Sequence, residues 1–128
     1  MAEFSDYLES ALINATLRNT SYTSPATVYV ALYTSDPTDA DSGTECSGGS
    51  YARQSVAFDA PSGGATSNTA AVEFPQATGS WGTITHVGIV DASSAGNLLY
   101  HTAATASKTI DTGDVYRIAA GSLTVTLA

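Results

Sequence analysis

The sequence predicts a mainly β domain, an antiparallel β-sandwich of seven or eight short strands with one N-terminal α-helix. Three observations lead there. Short runs rich in Val, Ile, Thr and Tyr recur along the chain, separated by Gly, Pro, Asn, Asp and Ser, the spacing expected of a sandwich. Charged residues are only 12% of the 128, about half the usual globular share, so solubility rests on Ser, Thr, Asn and Gly rather than on long charged helix faces. A helical period is confined to residues 1–20.

That first segment has the marks of one helix. Ser5 is the expected N-cap, and Asp6 suits the positive end of the helix dipole. Leu8, Ala11, Leu12 and Ala15 follow the i, i+3, i+4, i+7 pattern and form one apolar stripe. Asn19 is a suitable stop. The helix either packs on the domain's own sheet or acts as an arm that docks on a neighbour. For the second role Tyr7, Leu8 and Leu12 are the interface candidates.

Strands are expected from Pro25 onward. Thr27 to Tyr33 is almost continuously apolar, the pattern of a central strand buried on both faces. Tyr51 to Phe58 is a weaker, mixed strand, and Ala70 to Phe74 is short and stops at Pro75. Thr83 to Val90 is rich in β-branched residues. Asn97 to Ala103 follows across a Gly-containing turn. Lys108 to Asp111 and Val115 to Ala119 flank Thr112-Gly113-Asp114, which reads as a hairpin. Ser122 to Leu127 alternates, with Leu123, Val125 and Leu127 on one face. Thr34 to Ser50 and Asp59 to Thr69 remain as two long loops, which in compact domains tend to be functional. No linker, charge block or internal repeat divides the chain, so residues 1–128 read as a single domain.

Charge and cysteine usage exclude several roles. Four basic residues stand against twelve acidic ones, a formal charge of −8. Arg18, Arg53, Lys108 and Arg117 are scattered, whereas nucleic-acid binding needs clustered cations that displace counterions. Anionic membranes are disfavoured for the same reason. A basic protein surface, by contrast, would be attracted. Cys46 is the only cysteine, which rules out an intramolecular disulfide and a zinc cluster. Residues 1–6 lack a basic leader and no apolar stretch follows them, so assembly in a cytoplasm is expected.

Few residues are placed for chemistry. Asp36, Asp39, Asp41 and Glu45 surround Gly43 in the first long loop and resemble part of a calcium loop, since a hard cation wants several oxygen ligands on a flexible turn. The alternative is a solvated acidic tip. His86 and His101 sit in predicted strands without a second His at ligand spacing and read as hydrogen-bonded strand residues. Cys46, between Glu45 and Ser47, lies where negative charge raises a thiol pKa. No nucleophile elbow or phosphate-cradling loop is present. Neither a catalytic residue nor a cofactor is therefore expected. Trp81, in Gly79-Ser80-Trp81-Gly82, and Tyr51 and Arg53 are further interface candidates, because aromatics and Arg are enriched where surfaces meet. Core filling is the alternative for Trp81.

The order of these blocks resembles a family of small tailed-phage virion proteins. The resemblance is carried by Ser5 to Leu12, Thr23 to Tyr33 with Asp36-Pro37-Thr38, Gly49 to Gln54, Trp81 to Ile89, and Gly113 to Leu127. Members are commonly labelled tail-fibre proteins, and similar proteins serve as capsid decoration or cement subunits. The resemblance implies a virion structural protein and not an enzyme. Because the chain lacks the repeats of a fibre shaft, the expected role is capsid decoration: binding to the major capsid protein or another virion protein, as a homo-oligomer, a trimer, without nucleic acid or membrane. The competing expectation is a tail-fibre or tail-tip component that binds a host receptor. A hydrolase acting on a surface polymer is a third class, which would need two carboxylates facing each other in a cleft.

Overall fold

The computed structural model describes residues 2–127. The chain runs β1 (Glu3–Phe4), α1 (Asp6–Leu17), β2 (Val28–Tyr33), β3 (Gln54–Val56), β4 (Ala65–Ser67), β5 (Val72–Glu73), β6 (Gly82–Val90), β7 (Leu98–Ile110), β8 (Arg117–Ile118) and β9 (Thr124–Thr126). The fold is mainly antiparallel β with one N-terminal helix, as the composition predicts.

Five strands form one sheet in the order β1-β7-β6-β2-β3, and two ribbons, β4-β9 and β5-β8, stand apart from it. The main core lies between sheet and ribbons. Val30 and Leu32 from β2, with Ile84, Val87 and Ile89 from β6, meet Val72, Phe74, Leu123 and Val125. The opposite face of the sheet has its own smaller cluster of Ala31, Tyr33, Val90 and Leu98. β2 is therefore buried on both faces, which its unbroken apolar run requires. Alternate side chains point to opposite faces, so the one run supplies both clusters.

Ser5 caps α1 as expected. Its hydroxyl accepts from the Leu8 amide at 3.1 Å and donates to the Leu98 carbonyl. The helix ends at Leu17, and Asn19 follows with φ +53°, a left-handed conformation that Asn tolerates better than most residues. Of the predicted stripe, Leu8 is buried, Ala11 and Leu12 are half-buried and Ala15 is exposed. The helix packs against β7.

Three expectations need correction. Asn97–Ala103 and Lys108–Asp111 are not two strands but one, β7. Its register explains the gap that separates them in sequence. From His86↔Ala103 to Ile84↔Lys108, β6 advances two residues while β7 advances five. Ala104 to Ser107 thus stand against Thr85 alone, as a large bulge of small residues. Second, β7 and β8 do not form a hairpin. The chain does turn at Gly113, where φ is +94°, and the Asp111 amide donates to Asp114 Oδ2 at 2.9 Å. The outgoing strand then pairs with β5, through Val72↔Ile118 and Glu73↔Arg117. Third, Asp59–Thr69 is not an irregular loop, because it contains β4, which pairs with β9 from Ala65↔Thr126 to Ser67↔Thr124. With β1 added, nine strands are present among the described residues.

Candidate functional site

The acidic loop after β2 carries four of the twelve acidic residues, Asp36, Asp39, Asp41 and Glu45. The loop is tethered at both ends. The Thr34 amide donates to the Thr44 carbonyl at 2.9 Å, the Cys46 amide donates to the Leu32 carbonyl at 2.8 Å, and Tyr33 bridges Glu45. Pro37 is fully buried within it.

Its four carboxylates go to four different places. Asp36 Oδ1 lies 3.9 Å from His86 Nε2 on β6, and Asp39 Oδ1 lies 2.7 Å from His101 Nε2 on β7. The Tyr33 hydroxyl on β2 donates to Asp41 Oδ1 at 3.4 Å. Glu45 turns the other way, toward Arg53 and Tyr51. The three aspartates thus each meet a different strand of three adjacent ones. No three of these four residues bring ligand atoms together within 4.8 Å among the described residues. Asp39 instead comes together with Glu3 and His101 in one group, and with Asp6 and Glu9 in another. Sequence spacing did not show this, because the five residues come from β1, α1, the loop and β7. The Asp6 amide donates to the Asp39 carbonyl at 2.8 Å and brings helix and loop together.

Arg53 is the centre of a second polar group. Its Nε and Nη2 donate to the two Glu45 oxygens at 2.9 and 2.8 Å. Its Nη1 donates to the Ala92 and Ala95 carbonyls, each at 2.8 Å. Tyr51 completes the group, accepting from the Leu32 amide and donating to Glu45 Oε2. Arg53 thereby joins the acidic loop to the β6–β7 turn. Burial alone would raise the Glu45 pKa, but the Arg53 and Tyr51 hydrogen bonds outweigh it and hold the carboxyl below its ordinary value. Burial raises Asp41, against the opposing Tyr33 hydrogen bond. Burial, with Glu45 nearby, pushes the Cys46 thiol up to about 11, so it stays protonated and unreactive at neutral pH.

The remaining candidates divide between core and surface. Trp81 is 3% exposed. Its indole N–H donates to the Gly49 carbonyl at 2.7 Å, and its ring meets Tyr51 edge-on with centroids 5.4 Å apart. Phe74 stacks on Tyr51 and meets Trp81 and Tyr116 edge-on. Leu8 is buried and Leu12 half-buried, whereas Tyr7 is exposed. Asn68, which no motif marks, is 1% exposed. Its side chain donates to the Ala70 and Ala119 carbonyls and accepts from the Leu123 amide, tying the segment between β4 and β5 to the segment between β8 and β9.

Against known proteins, residues 3–126 match the family described as podophage GP4 fiber I protein gp80. The chain belongs to this family. It is therefore a member of a phage virion structural family of the fibre type, and the match covers the helix and all nine strands. No curated protein matches the chain.

Proposed function

We propose that this chain is a non-enzymatic structural component of a podophage-type virion, seated at a fibre as a compact module that binds another virion protein. The family match carries the fibre assignment. The organisation of the polar groups supports a structural role: Arg53, Tyr51, Glu45 and Asn68 use their hydrogen-bonding capacity to tie loops and strands to one another, and Cys46 is buried and held protonated. Cryo-electron microscopy of purified particles, with the chain tagged at its C-terminus, tests the reading. Density for the domain on a fibre is expected. Particles that lack the chain altogether would overturn the virion role.

Capsid decoration is the second reading, favoured by one observation. The chain is a short sandwich without the repeats that build an elongated shaft, a shape suited to junctions between capsid subunits. Density on the head lattice would select it over the fibre, and decorated heads would then resist heat better than bare ones, because binding to the assembled state stabilises it by mass action. The decoration reading includes a homotrimer, which analytical ultracentrifugation checks; a monomer at every concentration would remove that element.

A further inference from the structure

We propose that the outward ridge of α1 is the surface by which this domain docks on its virion partner, and that the partner presents an apolar groove bordered by Lys or Arg. The inference rests on the virion reading above and names the chemistry of the contact.

Helix geometry places Asp6, Glu9, Ile13 and Leu17 on one side of α1, opposite the stripe headed by the buried Leu8. Ile13 is 53% exposed and Leu17 is 79% exposed, the latter the most exposed large apolar residue among the described residues. They are four residues apart, so they form one adjacent pair. Among the described residues the helix packs on β7 with Leu8 buried, while Ile13 and Leu17 stay open. An amphipathic helix that fills a groove does so through such i, i+4 anchors.

The first half of the same ridge is acidic. Carboxylate oxygens of Asp6, Glu9 and Asp39 all lie within 4.8 Å of one another, and no ion pair among the described residues engages Asp6 or Glu9. A helix N-terminus accounts for some preference for Asp6 and Glu9, and the loop adds a third carboxylate, Asp39, which also contacts His101 at 2.7 Å. Cations on the partner would relieve this repulsion. A free divalent ion would do so too, but would leave Ile13 and Leu17 bare. A second copy of this chain is poorly equipped for the task. Of its four cations, Arg53 is bound to Glu45, Arg117 stands 4.0 Å from Glu73 and Arg18 donates to Asn14 on its own helix, which leaves Lys108 alone against three carboxylates. The charge pattern therefore selects a different, basic protein.

Photo-crosslinking in assembled virions tests this. A benzophenone amino acid is placed at position 13 or 17 of the full chain, with position 105 on the β7 bulge as the control. Crosslinks from 13 and 17, but not from 105, to another virion protein are expected, at a segment flanked by Lys or Arg. The double variant I13S/L17S should keep the wild-type melting temperature, since both side chains are exposed, and fall at least tenfold in copies per particle. D6N/E9Q should lower occupancy and make it less sensitive to salt. Crosslinks to a second copy of the chain, or wild-type occupancy of I13S/L17S, would overturn the ridge assignment and leave the virion reading standing. Absence of the wild-type chain from particles would overturn both.

Discussion

Glu45 is held by opposing influences whose balance sets its contribution to stability. Its burial favours the neutral acid, and its bidentate bond to Arg53 with the Tyr51 hydroxyl favours the carboxylate, which wins. A carboxyl with a lowered folded pKa stabilises the fold above its ordinary value of 4.5 and loses that contribution as pH falls through the lower folded value. Asp41 acts with the opposite sign: its raised pKa makes ionisation oppose folding as pH rises past 3.8. Glu45→Gln should cost about 2 kcal/mol at pH 7, the scale of charge-assisted hydrogen bonds, and should flatten the loss of stability below about pH 4.5. Urea unfolding at a series of pH values checks both. An acid limb as steep in the variant as in the wild type would show that Glu45 does not carry it. The sequence marks Glu45, Tyr51 and Arg53 as notable residue types but not as one group. Eight residues separate Glu45 from Arg53, and only the return of the chain along β3 brings them together.

The central strands show how far element prediction reaches. β2 and β6 are legible because a run of apolar, β-branched residues has one stable use, pairing in the middle of a sheet. Their register, from Tyr29↔Val90 to Tyr33↔His86, is set by packing that sequence does not display. Gly88 lies opposite Ala31 in it. A Cβ at Gly88 would stand 2.7 Å from the Tyr33 ring and 2.8 Å from Leu98 Cδ1, so the small cluster on that face exists because the position has no side chain. Gly88→Ala should therefore cost about 1–3 kcal/mol through overpacking, whereas Ser107→Ala on the exposed bulge should stay within about 0.5 kcal/mol. Thermal melts of the two variants distinguish them, and equal losses would mean that the cluster tolerates a methyl group. The short elements β1 and β4 are not legible, and β8 is legible as a strand but not in its partner, because two or three residues carry too little pattern to reveal one. β4 reads as Gly-flanked loop until β9 lies beside it.

Across the whole molecule, the sheet and both ribbons share one core, and the ring of Phe74 touches those of Tyr51, Trp81 and Tyr116. With sheet and ribbons joined through this main core, the domain should unfold in a single step. Trp81 is the sole tryptophan and sits inside that core, so its fluorescence should change at the same urea midpoint as the far-ultraviolet circular dichroism. An earlier fluorescence midpoint would mean that the aromatic cluster loosens before the sheet. The family assignment also belongs to this scale, since it spans residues 3–126 rather than any local motif, and the order of sequence blocks resembles phage virion proteins over the same length. By itself the sequence determined the class of fold, the helix with its Ser5 cap and Asn19 stop, the doubly buried β2, and a charge balance unfavourable to nucleic acid. These follow from local periodicity, capping chemistry and composition, which act over a few residues or sum over all of them. Only the tertiary structure decided that β7 is one bulged strand, that β8 turns away to β5, that Trp81 lies in the core, and that Asp39 joins Glu3, Asp6, Glu9 and His101. Those outcomes depend on contacts between distant segments, where the energy lies in the fit of two surfaces and neither surface alone carries the information.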